Sequence, residues 1–589
     1  MSKFAHPVRR RGGARAPRGA IAVLAAIWLA VAIAALGALD VGNVYLARRQ
    51  YQRTADLAAI AGAQAIGSAL GSAAACAAAT SAAQSIATAN GLPADATVSV
   101  ACGRWDTPAA GAAPVFSAAG LPLNAVQVDV ARRVPFLFVG PAHNVTAEAT
   151  AKAIDVGTFT LATSTATLSG GMLNGLLNSL LGTNLSLGVV TYQNLAAAQV
   201  KLGDLATALH FGTIDELLNA NVRLADLASA MITALGAGGT ASADVTSALG
   251  AIAATVSTNL NVNLGNTANT SGLLAIGLSS PQGAQSASIS VLDTLVVAAE
   301  IANGKSAIDL TPALNLGALA NVSARAVVIQ PPVLAVGEAG QDASGAWRTS
   351  AHAAQVRVYL NVSLVNLNLG PLAQVSVLNL PLYVEAGGQG TAYLQSTQCT
   401  TSKSTSRSTI VVQPGLASVC VGGDVAAANV ANNTVPVSCT QPAKLTNVTL
   451  ASLQVVGISV GNFSPPSGLS IPLQAAAPST LTFNAVAGDS DDYQSTDTNA
   501  LGSATASLLT SVVAQLPSAL YVTVLGINIR VGDTGLLAQL LTGVVNGLTP
   551  VLNSLDGLLV PLLQLLGVQI GVSTVHDIAL SCGEAQLVN

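Results

Sequence analysis

The hydrophobic pattern of the chain begins with an apolar run that carries no charge, Ala20 to Leu39. At about 1.5 Å per residue, a helix of this length crosses a hydrocarbon core of roughly 30 Å. We therefore predict one transmembrane helix over residues 20–39. The leader before it, residues 1–19, contains no acidic residue and six basic ones: Lys3, Arg9, Arg10, Arg11, Arg15 and Arg18. Because basic flanks stay on the cytoplasmic side, we expect a cytoplasmic N-terminus and an exported main body.

Two forms of N-terminal processing are alternatives to an uncleaved anchor. A secretory signal peptide has an apolar core of about 7–15 residues followed by an A-x-A-like site. The run here is longer, and no clean site precedes Asp40. A prepilin-type signal would use Gly19, but pilins of that type carry Glu five residues past the cut, where this chain has Leu24. Both observations favour an uncleaved anchor.

The helical pattern continues beyond the apolar run. No proline occurs between Asp40 and Asn90, and alanine, the residue with the best helix propensity, dominates. Residues 40–92 are therefore predicted to form an Ala-rich helical stalk, which Gly67 and Gly71 could interrupt. Small residues recur at every fourth position: Ala55, Ala59, Ala63, Gly67, Gly71, Ala75 and Ala79. Such rows let helices approach closely, so this one is a candidate surface for a partner helix, although an Ala-rich segment also produces such rows by chance.

Two further regions follow the stalk. Residues 93–158 alternate apolar and polar positions, which predicts a small β-rich domain beside the stalk. Residues 159–285 are predicted to be helical and contain an internal repeat, because the segments from Thr191 and Thr213 match at an offset of 22 residues. Each repeat unit is a pair of short helices. Thr213 and Glu216 form a capping box, and Asp204 and Asp226 are expected N-caps of the second helices.

The remaining sequence changes period twice. Residues 286–500 are predicted to be β-rich, with Thr401–Ser408 as an exposed hairpin tip. One strand would bury every second side chain, on the face formed by Val356, Val358, Leu360, Val362 and Leu364. Residues 501–589 form a Leu-rich α/β region. Its apolar segment Gly535–Gly567 is interrupted by polar residues and proline, so we favour buried amphipathic helices; a second span and a lipid-binding groove are the alternatives.

Composition extends this picture to the exported body. Hydrophobic residues make up 51% of the 589 residues, while aromatic residues make up 3% and charged residues 8%, against about 25% charged residues in ordinary soluble domains. One span does not account for a mean hydropathy of +0.58, so the exported body is itself weakly charged. Beyond residue 53 acidic residues outnumber basic ones, and nucleic acid is not an expected partner. The predicted fold class is α+β: one transmembrane helix, its stalk, and mixed helical and β-rich exported domains.

The cysteines are even in number and lie after the predicted span: Cys76, Cys102, Cys399, Cys420, Cys439 and Cys582. An exported chain with six cysteines is typical of an oxidising compartment, and all six are candidate disulfide cysteines. We favour Cys76–Cys102 and Cys399–Cys420, which leaves Cys439–Cys582. None has the spacing of a zinc site.

The segment at the end of the apolar run carries a recognisable motif. It reads Arg18-Gly19, an apolar run, then Asp40-Val41-Gly42, with the further motif positions Tyr45, Gln50, Asp56 and Gly62. This pattern resembles the N-terminal segment of TadG-like Flp pilus-assembly proteins of bacteria. The "VACGRWD" stretch around Trp105 and "NAVQVDV" from Asn124 resemble the domain that often follows it. Together the resemblance covers about residues 14 to 155.

The resemblance implies a function and a location. It implies a non-enzymatic structural or assembly component of a Tad (Flp) pilus, anchored in the bacterial inner membrane with its body in the periplasm. Its partners would be the membrane, crossed once, and pilus-machinery membrane proteins or envelope components. The alternative is an envelope adhesin or lipid-binding module that uses a Tad-like anchor.

Candidate chemistry is sparse. The histidines, His6, His143, His210, His352 and His576, have no partner motif, and His576 and Asp577 would face opposite sides of a strand. No nucleophile, P-loop or zinc motif occurs. Some TadG-like proteins carry a von Willebrand-type metal site with Asp-x-Ser-x-Ser; the stretch Gly488–Asp497 does not fit that spacing and predicts a solvated acidic turn. We therefore expect no catalytic, cofactor-binding or metal residues and no cofactor.

Overall fold

The computed structural model describes residues 18–66, 72–106, 115–161, 170–309, 321–368, 373–421, 443–450, 456–460, 469–473, 477–496, 513–530, 535–566, 568 and 573–588, apart from 119, 122, 139, 258, 279–280, 305–306, 343, 389, 401, 518–519 and 525–526. Most of the basic leader, residues 1–17, therefore lies outside the described residues. The chain divides into two compact units, Met1–Ala153 with Ala585–Asn589, and Ile154–Glu584.

The first unit begins with two helices. Helix α1 runs without a break over Arg18–Ile66, and α2 covers Ser72–Ala89. The predicted continuation of the helix past Asp40 is confirmed, as expected for an Ala-rich segment without proline. The glycines at 67 and 71 lie outside the described residues, between the end of α1 and the start of α2.

Four antiparallel strands, which are part of a larger sheet, cover these helices. They are β1 (Thr97–Asp106), β2 (Val115–Ser117), β3 (Ala125–Val134) and β4 (His143–Leu161, of which the part up to Ala153 belongs to this unit), in the order β2-β1-β3-β4. Alternate residues of β3 and β4 face the helices: Val126, Val128, Val130, Ala147, Ala149 and Ala151. The predicted small sheet beside the helix is therefore present.

The second unit opens with short helices and strands. They are α3 (Gly170–Leu181), α4 (Val189–Ala197), β5 (Gln199–Lys201), α5 (Leu202–Ala208), α6 (Ile214–Leu218), β6 (Asn221–Arg223), α7 (Leu224–Ala237), α8 (Ala243–Thr255), β7 (Asn261–Asn263), β8 (Leu274–Gly277), β9 (Ser288–Ser290) and α9 (Val291–Asn303). Each copy of the sequence repeat is helix, short strand, helix. The two short strands have equivalent partners, β5 with β9 and β6 with β7, both antiparallel.

The repeat also extends to single hydrogen bonds. The amide of Leu202 donates to the carbonyl of Ala287 at 2.9 Å, and that of Leu224, 22 residues later, donates to Leu260 at 2.9 Å. Each acceptor directly precedes the strand that pairs with its copy. The internal repeat is therefore present in the structure as well as in the sequence.

The expected caps of the repeat are partly wrong. Thr213 is the N-cap of α6, and its hydroxyl accepts from the amide of Glu216 at 3.1 Å, as predicted. The N-caps of α5 and α7, however, are Lys201 and Arg223, without a side-chain cap. Asp204 and Asp226 lie in the first turn instead, because the short strands run directly into the helices. There the carboxylates still interact favourably with the positive end of the helix dipole.

The second unit contains a large antiparallel sheet with ten described strands. They are β10 (Ile308–Asp309), β11 (Asn321–Gln330), β14 (Gln355–Asn368), β15 (Ala373–Gly388), β18 (Leu416–Val421), β19 (Ala443–Leu450), β20 (Val456–Val460), β21 (Leu469–Leu473), β24 (Leu520–Val524) and β25 (Ile527–Arg530). The predicted alternation in β14 is confirmed for its four described side chains, Val356, Val358, Leu360 and Val362, which are fully buried. The side chain of Leu364 lies outside the described residues.

The other strands of the second unit form smaller groups. They are β12 (Leu334–Gly337), β13 (Ser350–His352), β16 (Thr391–Gln398), β17 (Arg407–Gln413), β22 (Ser479–Asn484), β23 (Tyr493–Ser495) and β26 (Thr574–Leu587). The order β13-β16-β17-β22 makes one sheet, in which β16 and β17 form the predicted hairpin. Its tip is exposed at residues 402–405, but the predicted exposure up to Ser408 is wrong, because Ser406 and Ser408 are buried. β12 pairs with β4 and β8, and β23 pairs with β26.

Two helices settle other expectations. The Leu-rich segment forms one helix, α10 (Leu536–Leu565), which buries Leu541, Val544, Leu548, Val551 and Leu552. These positions recur at helical spacing, so the buried amphipathic interpretation is confirmed. Helix α9 lies inside the region predicted to be β-rich. Its residues from Val291 to Glu300 are buried on every side, and such a run lacks the polar face that distinguishes a helix from a buried strand in sequence.

The disulfides correct part of the expected pairing. Cys76 of α2 is bonded to Cys102 of β1, as predicted. Cys399 is bonded to Cys582, 183 residues away, so the predicted pairs Cys399–Cys420 and Cys439–Cys582 are wrong. Cys420 is also in a disulfide, whereas Cys439 lies outside the described residues. The error came from pairing cysteines that are near in sequence, while the fold places β26 of one sheet beside the end of β16 of another.

Candidate functional site

The N-terminal half of α1 has the surface of a membrane anchor. Its apolar side chains are exposed, for example Ile21 at 74% and Trp28 at 66%. Among the described residues, one helix, Ile21–Ile66, is long and apolar enough to cross a membrane, and its most apolar window has no buried residue. A helix that is apolar on all faces without a protein covering is suited to lipid. The N-terminal half of α1 is therefore suited by length, composition and exposure to anchor the protein in a membrane.

Asp40 lies where this anchor meets the folded unit. Its side chain is 1% exposed. Its carboxylate accepts hydrogen bonds from the backbone amides of Leu137, at 2.6 Å, and Phe138, at 3.2 Å. These two residues belong to the loop of residues 135–142, which connects β3 to β4. Asp40 thus fastens this loop to the helix, a contact for which the sequence gives no signal because the partners are backbone groups 97 and 98 positions away.

The other predicted motif residues lie on two sides of α1. Asp56 accepts from Gln52 at 2.9 Å, and the same Gln52 amide donates to the carbonyl of Glu148 at 2.8 Å, which links the helix to β4. Gly62 lies against α2 and β3: a Cβ atom there would be 3.0 Å from Val126 Cγ1. Tyr45, in contrast, is 66% exposed.

Gln50 is exposed like Tyr45, and a Cβ atom on Gly42 would meet no atom within 4 Å. Asp40, Asp56 and Gly62 therefore make structural contacts within the unit, while Tyr45 and Gln50 are available at the surface.

The row of small residues is used inside the unit. Ala55, Ala59 and Ala63 are fully buried, as is Ala79 of α2, and all four belong to one core with the valines of β3. The close helix approach predicted from the row is present, but the partner is the chain's own α2. In the described part of the predicted 40–92 stalk, this face packs inside the unit and is not available to another protein.

A second link between helix and sheet involves Arg132, which the sequence analysis missed. Its Nη1 donates to the hydroxyl of Tyr51 at 3.1 Å, and its Nε pairs with Asp95 at 2.8 Å. Both partners raise the pKa of the guanidinium. Tyr51 is buried at the start of the row of small residues, so this bond fixes the part of β3 that lies nearest to the anchor.

The second unit contains a buried polar cluster. His576 Nδ1 donates to Asp293 Oδ2 at 2.5 Å, and the imidazole stacks on the ring of Tyr493 with 4.0 Å between ring centroids. Asp577, the next residue, points to the opposite face and accepts from Ser408 Oγ at 2.5 Å. The prediction that these neighbours face opposite sides is confirmed. All four hydrogen-bonding groups are at least nine-tenths buried.

The charges and hydrogen bonds of this cluster indicate a structural role. Burial raises the pKa of Asp577 to about 7 and also raises that of Asp492, whose carbonyl accepts from the amide of Asp577. Ser408 is paired with a carboxylate and His576 with a different one, so the two do not form a nucleophile–base pair. Within the described part of the chain, no group of His, Cys, Asp or Glu is arranged to hold a metal ion.

The acidic turn differs from the predicted solvated turn. Asp491 accepts from the amide of Asn484 at 2.6 Å, and Asp489 accepts from the side chain of Asn484 at 3.0 Å. Asp492 is 8% exposed and accepts from the amide of Gly488 at 2.5 Å. The carboxylates hold the turn together through neutral N–H donors, which explains why several acidic residues occur side by side. Asp497 lies outside the described residues.

Helix α1 thus has an exposed apolar N-terminal half and a C-terminal half that packs into a small α/β unit. Family comparisons match this region. Residues 19–65 match the Flp pilus-assembly TadE/G-like family, and residues 61–153 match the Tad-like Flp pilus-assembly family. The resemblance predicted from the Asp40 to Gly62 motif is confirmed for this region. Residues 169–300, from α3 to α9, match a domain family of unknown function. No curated protein and no solved structure matches the chain.

Proposed function

We propose that this protein is a non-enzymatic assembly component of a Tad (Flp) type pilus, anchored in the bacterial inner membrane. The observation that carries the proposal is that the two pilus-assembly matches, residues 19–65 and 61–153, coincide with one packed unit built around α1. The anchor and the following domain act as one body. The two matched families are described as pilus-assembly families, and the buried cluster around His576 offers no open site for catalysis.

The proposed orientation has the leader in the cytoplasm and both units in the periplasm. The six basic residues before the span support it, as do the disulfides Cys76–Cys102 and Cys399–Cys582, which persist in an oxidising compartment. Alkaline phosphatase fused to the C-terminus should be active in intact cells, and the same enzyme fused to the N-terminus should be inactive. Activity of the N-terminal fusion alone would reverse the orientation.

In this proposal the outward face of α1 binds membrane proteins of the pilus machinery. The row of small residues is occupied by α2, but Arg53, Leu57 and Gln64 point away from the core and are exposed. Leu57 is 43% exposed, although it is a large apolar residue in the middle of the unit's central helix. A scaffold needs such a surface close to the membrane, where its partners also lie.

The test is complementation of a deletion strain. Deletion should remove surface pili, and the wild-type gene should restore them. Leu57→Glu should accumulate at the wild-type level but restore few pili, because it changes an exposed face. Ala59→Glu, its matched control on the buried face, should lower the amount of folded protein, because it places a charge in the core.

Two results would contradict the proposal in different ways. If the deletion leaves pili unchanged and abolishes attachment to surfaces, the protein is an adhesin with a Tad-like anchor. If the deletion leaves both unchanged but co-purified lipid is lost on removing residues 535–567, the lipid-binding alternative is correct. Wild-type piliation with Leu57→Glu would show that the outward face of α1 is not the contact surface.

A further inference from the structure

The loop of residues 135–142 exposes two large apolar side chains next to each other. Leu137 is 63% exposed and Phe138 is 55% exposed, whereas Val134 and Val145 at the ends of the flanking strands are buried. The strands therefore end in the core, and the loop carries apolar surface out of it. Polar residues would be expected at such a turn if it faced water.

Three contacts between α1 and the segment from β3 to this loop show where the loop lies along the helix. Val126 packs against Gly62, Arg132 binds Tyr51, and the loop binds Asp40. At about 1.5 Å of rise per residue, Tyr51 is about 16 Å and Gly62 about 33 Å beyond Asp40. The strand β3 therefore runs back toward the membrane, and the loop is its membrane-proximal end.

The apolar surface of α1 continues past Asp40. Val41 is 64%, Tyr45 66% and Leu46 65% exposed, and the first exposed charges after them are Arg48 and Arg49. Asp40 does not interrupt this surface, because the loop covers its carboxylate. A tyrosine at the end of an apolar run is typical of a membrane interface, where its ring lies at headgroup level.

We propose that the loop of residues 135–142 inserts Leu137 and Phe138 into the lipid at the level where α1 leaves the membrane. Irregular backbone at this depth needs acceptors for its amides, because lipid supplies none. The carboxylate of Asp40 accepts from the amides of Leu137 and Phe138. The apolar run therefore ends on a buried aspartate because this residue clamps a second lipid contact. The inference depends on the membrane anchor and not on the pilus role.

This second contact would fix the orientation of the unit. A single helix can rotate about its axis and tilt in a bilayer, since tilt is set by packing and interfacial anchors. A lipid-inserted loop on one side of α1 would restrict both motions. It would thereby hold the outward face of α1 in a constant direction relative to the membrane plane.

The experiment uses the full chain in vesicles of phosphatidylcholine and phosphatidylglycerol. A single cysteine is introduced as Leu137→Cys and labelled with the environment-sensitive fluorophore NBD; the described native cysteines are all in disulfides. The emission should shift to the blue and should be quenched by nitroxide groups carried on the lipids. Quenching by a headgroup-proximal nitroxide should exceed quenching by one deep in the acyl chains.

Two matched positions bracket the measurement. Val31→Cys, in the middle of the anchor, should be quenched most by the deep nitroxide. Val115→Cys, which is 48% exposed and pairs with Asp106 at the end of β1, should remain in water and unquenched. Asp40→Ala should reduce quenching at position 137 without changing it at position 31, because the loop is released while the anchor stays. The Cys76–Cys102 bond in each variant serves as the check of folding.

Three results would overturn the inference. Quenching at position 31 together with none at position 137 would leave the anchor intact and refute insertion of the loop. A blue shift at position 137 without nitroxide quenching would show that a second copy or another protein covers Leu137 and Phe138. No quenching at position 31 would refute the membrane anchor itself, and with it the anchored form of the proposed function.

Discussion

Asp40 and Asp577 are two carboxylates of a weakly charged chain that are buried for different reasons. Asp40 accepts from the backbone amides of Leu137 and Phe138, which are neutral donors of a loop. Asp577 accepts from the hydroxyl of Ser408 and lies beside the His576–Asp293 pair. A single hydroxyl compensates the buried charge of Asp577 only in part, and burial raises its pKa to about 7. Stability should therefore depend on its protonation.

The first prediction concerns this dependence. The folded pKa of Asp577 lies above its value in the unfolded chain, so the folded state binds the proton more tightly. Its contribution to stability is complete below about pH 4 and is lost as pH rises through about 7. Asp577→Asn should remove this part of the loss, roughly 4 kcal/mol between about pH 4 and about pH 8. Thermal unfolding of the full chain in detergent, measured across this range, checks it.

The control for this measurement is Asp342→Asn. Asp342 is exposed, and hydrogen bonds from Ser344 lower its pKa, so it is ionised throughout the range and its replacement should leave the slope unchanged. Asp155, with a pKa raised to about 6, and Glu300 act in the same direction as Asp577, so a smaller slope should persist in Asp577→Asn. An unchanged slope in that variant would show that Asp577 is not the titrating group.

Helix α1 shows that a sequence pattern can predict the type of an element but not the surface that packs against it. Its continuous helix and its row of small residues follow from composition and spacing alone. The sequence does not reveal which surface packs against this row. The facing residues of α2 and β3 are small and apolar, as those of a helix from another protein would also be. The same limitation applies to α9, whose uniform burial removes the period that would separate helix from strand. Local patterns predict an element's type best when one of its faces is polar.

The second prediction uses two glycines of the same helix. Gly62→Leu should destabilise the first unit, because its Cβ would lie 3.0 Å from Val126 Cγ1 and 3.3 Å from the carbonyl of Ala79. Overpacking of this kind costs about 1–3 kcal/mol. Gly42→Leu, with no atom within 4 Å of its Cβ, should be neutral or stabilising, since Leu is a better helix former by up to about 1 kcal/mol. Thermal unfolding of the two variants in detergent compares them, and equal losses would contradict the packing described.

At the scale of the whole chain, predictability decreases with sequence separation. The disulfide Cys76–Cys102, which spans 26 residues, was predicted from proximity, whereas Cys399–Cys582 spans 183 and depends on how β26 returns to β16. The cluster of Asp293, Ser408 and His576 likewise joins distant strands and a helix. Nothing in the separate segments indicates these partners, because they meet only when a helix and strands of two different sheets pack together.

The third prediction tests this long-range connection. Cys399→Ser with Cys582→Ser should leave no free thiol in the chain, because each replaced cysteine is the other's partner. Cys399→Ser with Cys420→Ser, the pair suggested by sequence proximity, should instead expose free thiols, because it breaks two bonds and leaves their partners single. Thiol labelling in denaturant distinguishes the two double variants directly. The first variant should also lose up to about 5 kcal/mol of stability, since closing so long a loop constrains the unfolded chain strongly. A free thiol in that first variant would show that the C-terminal strand is joined elsewhere.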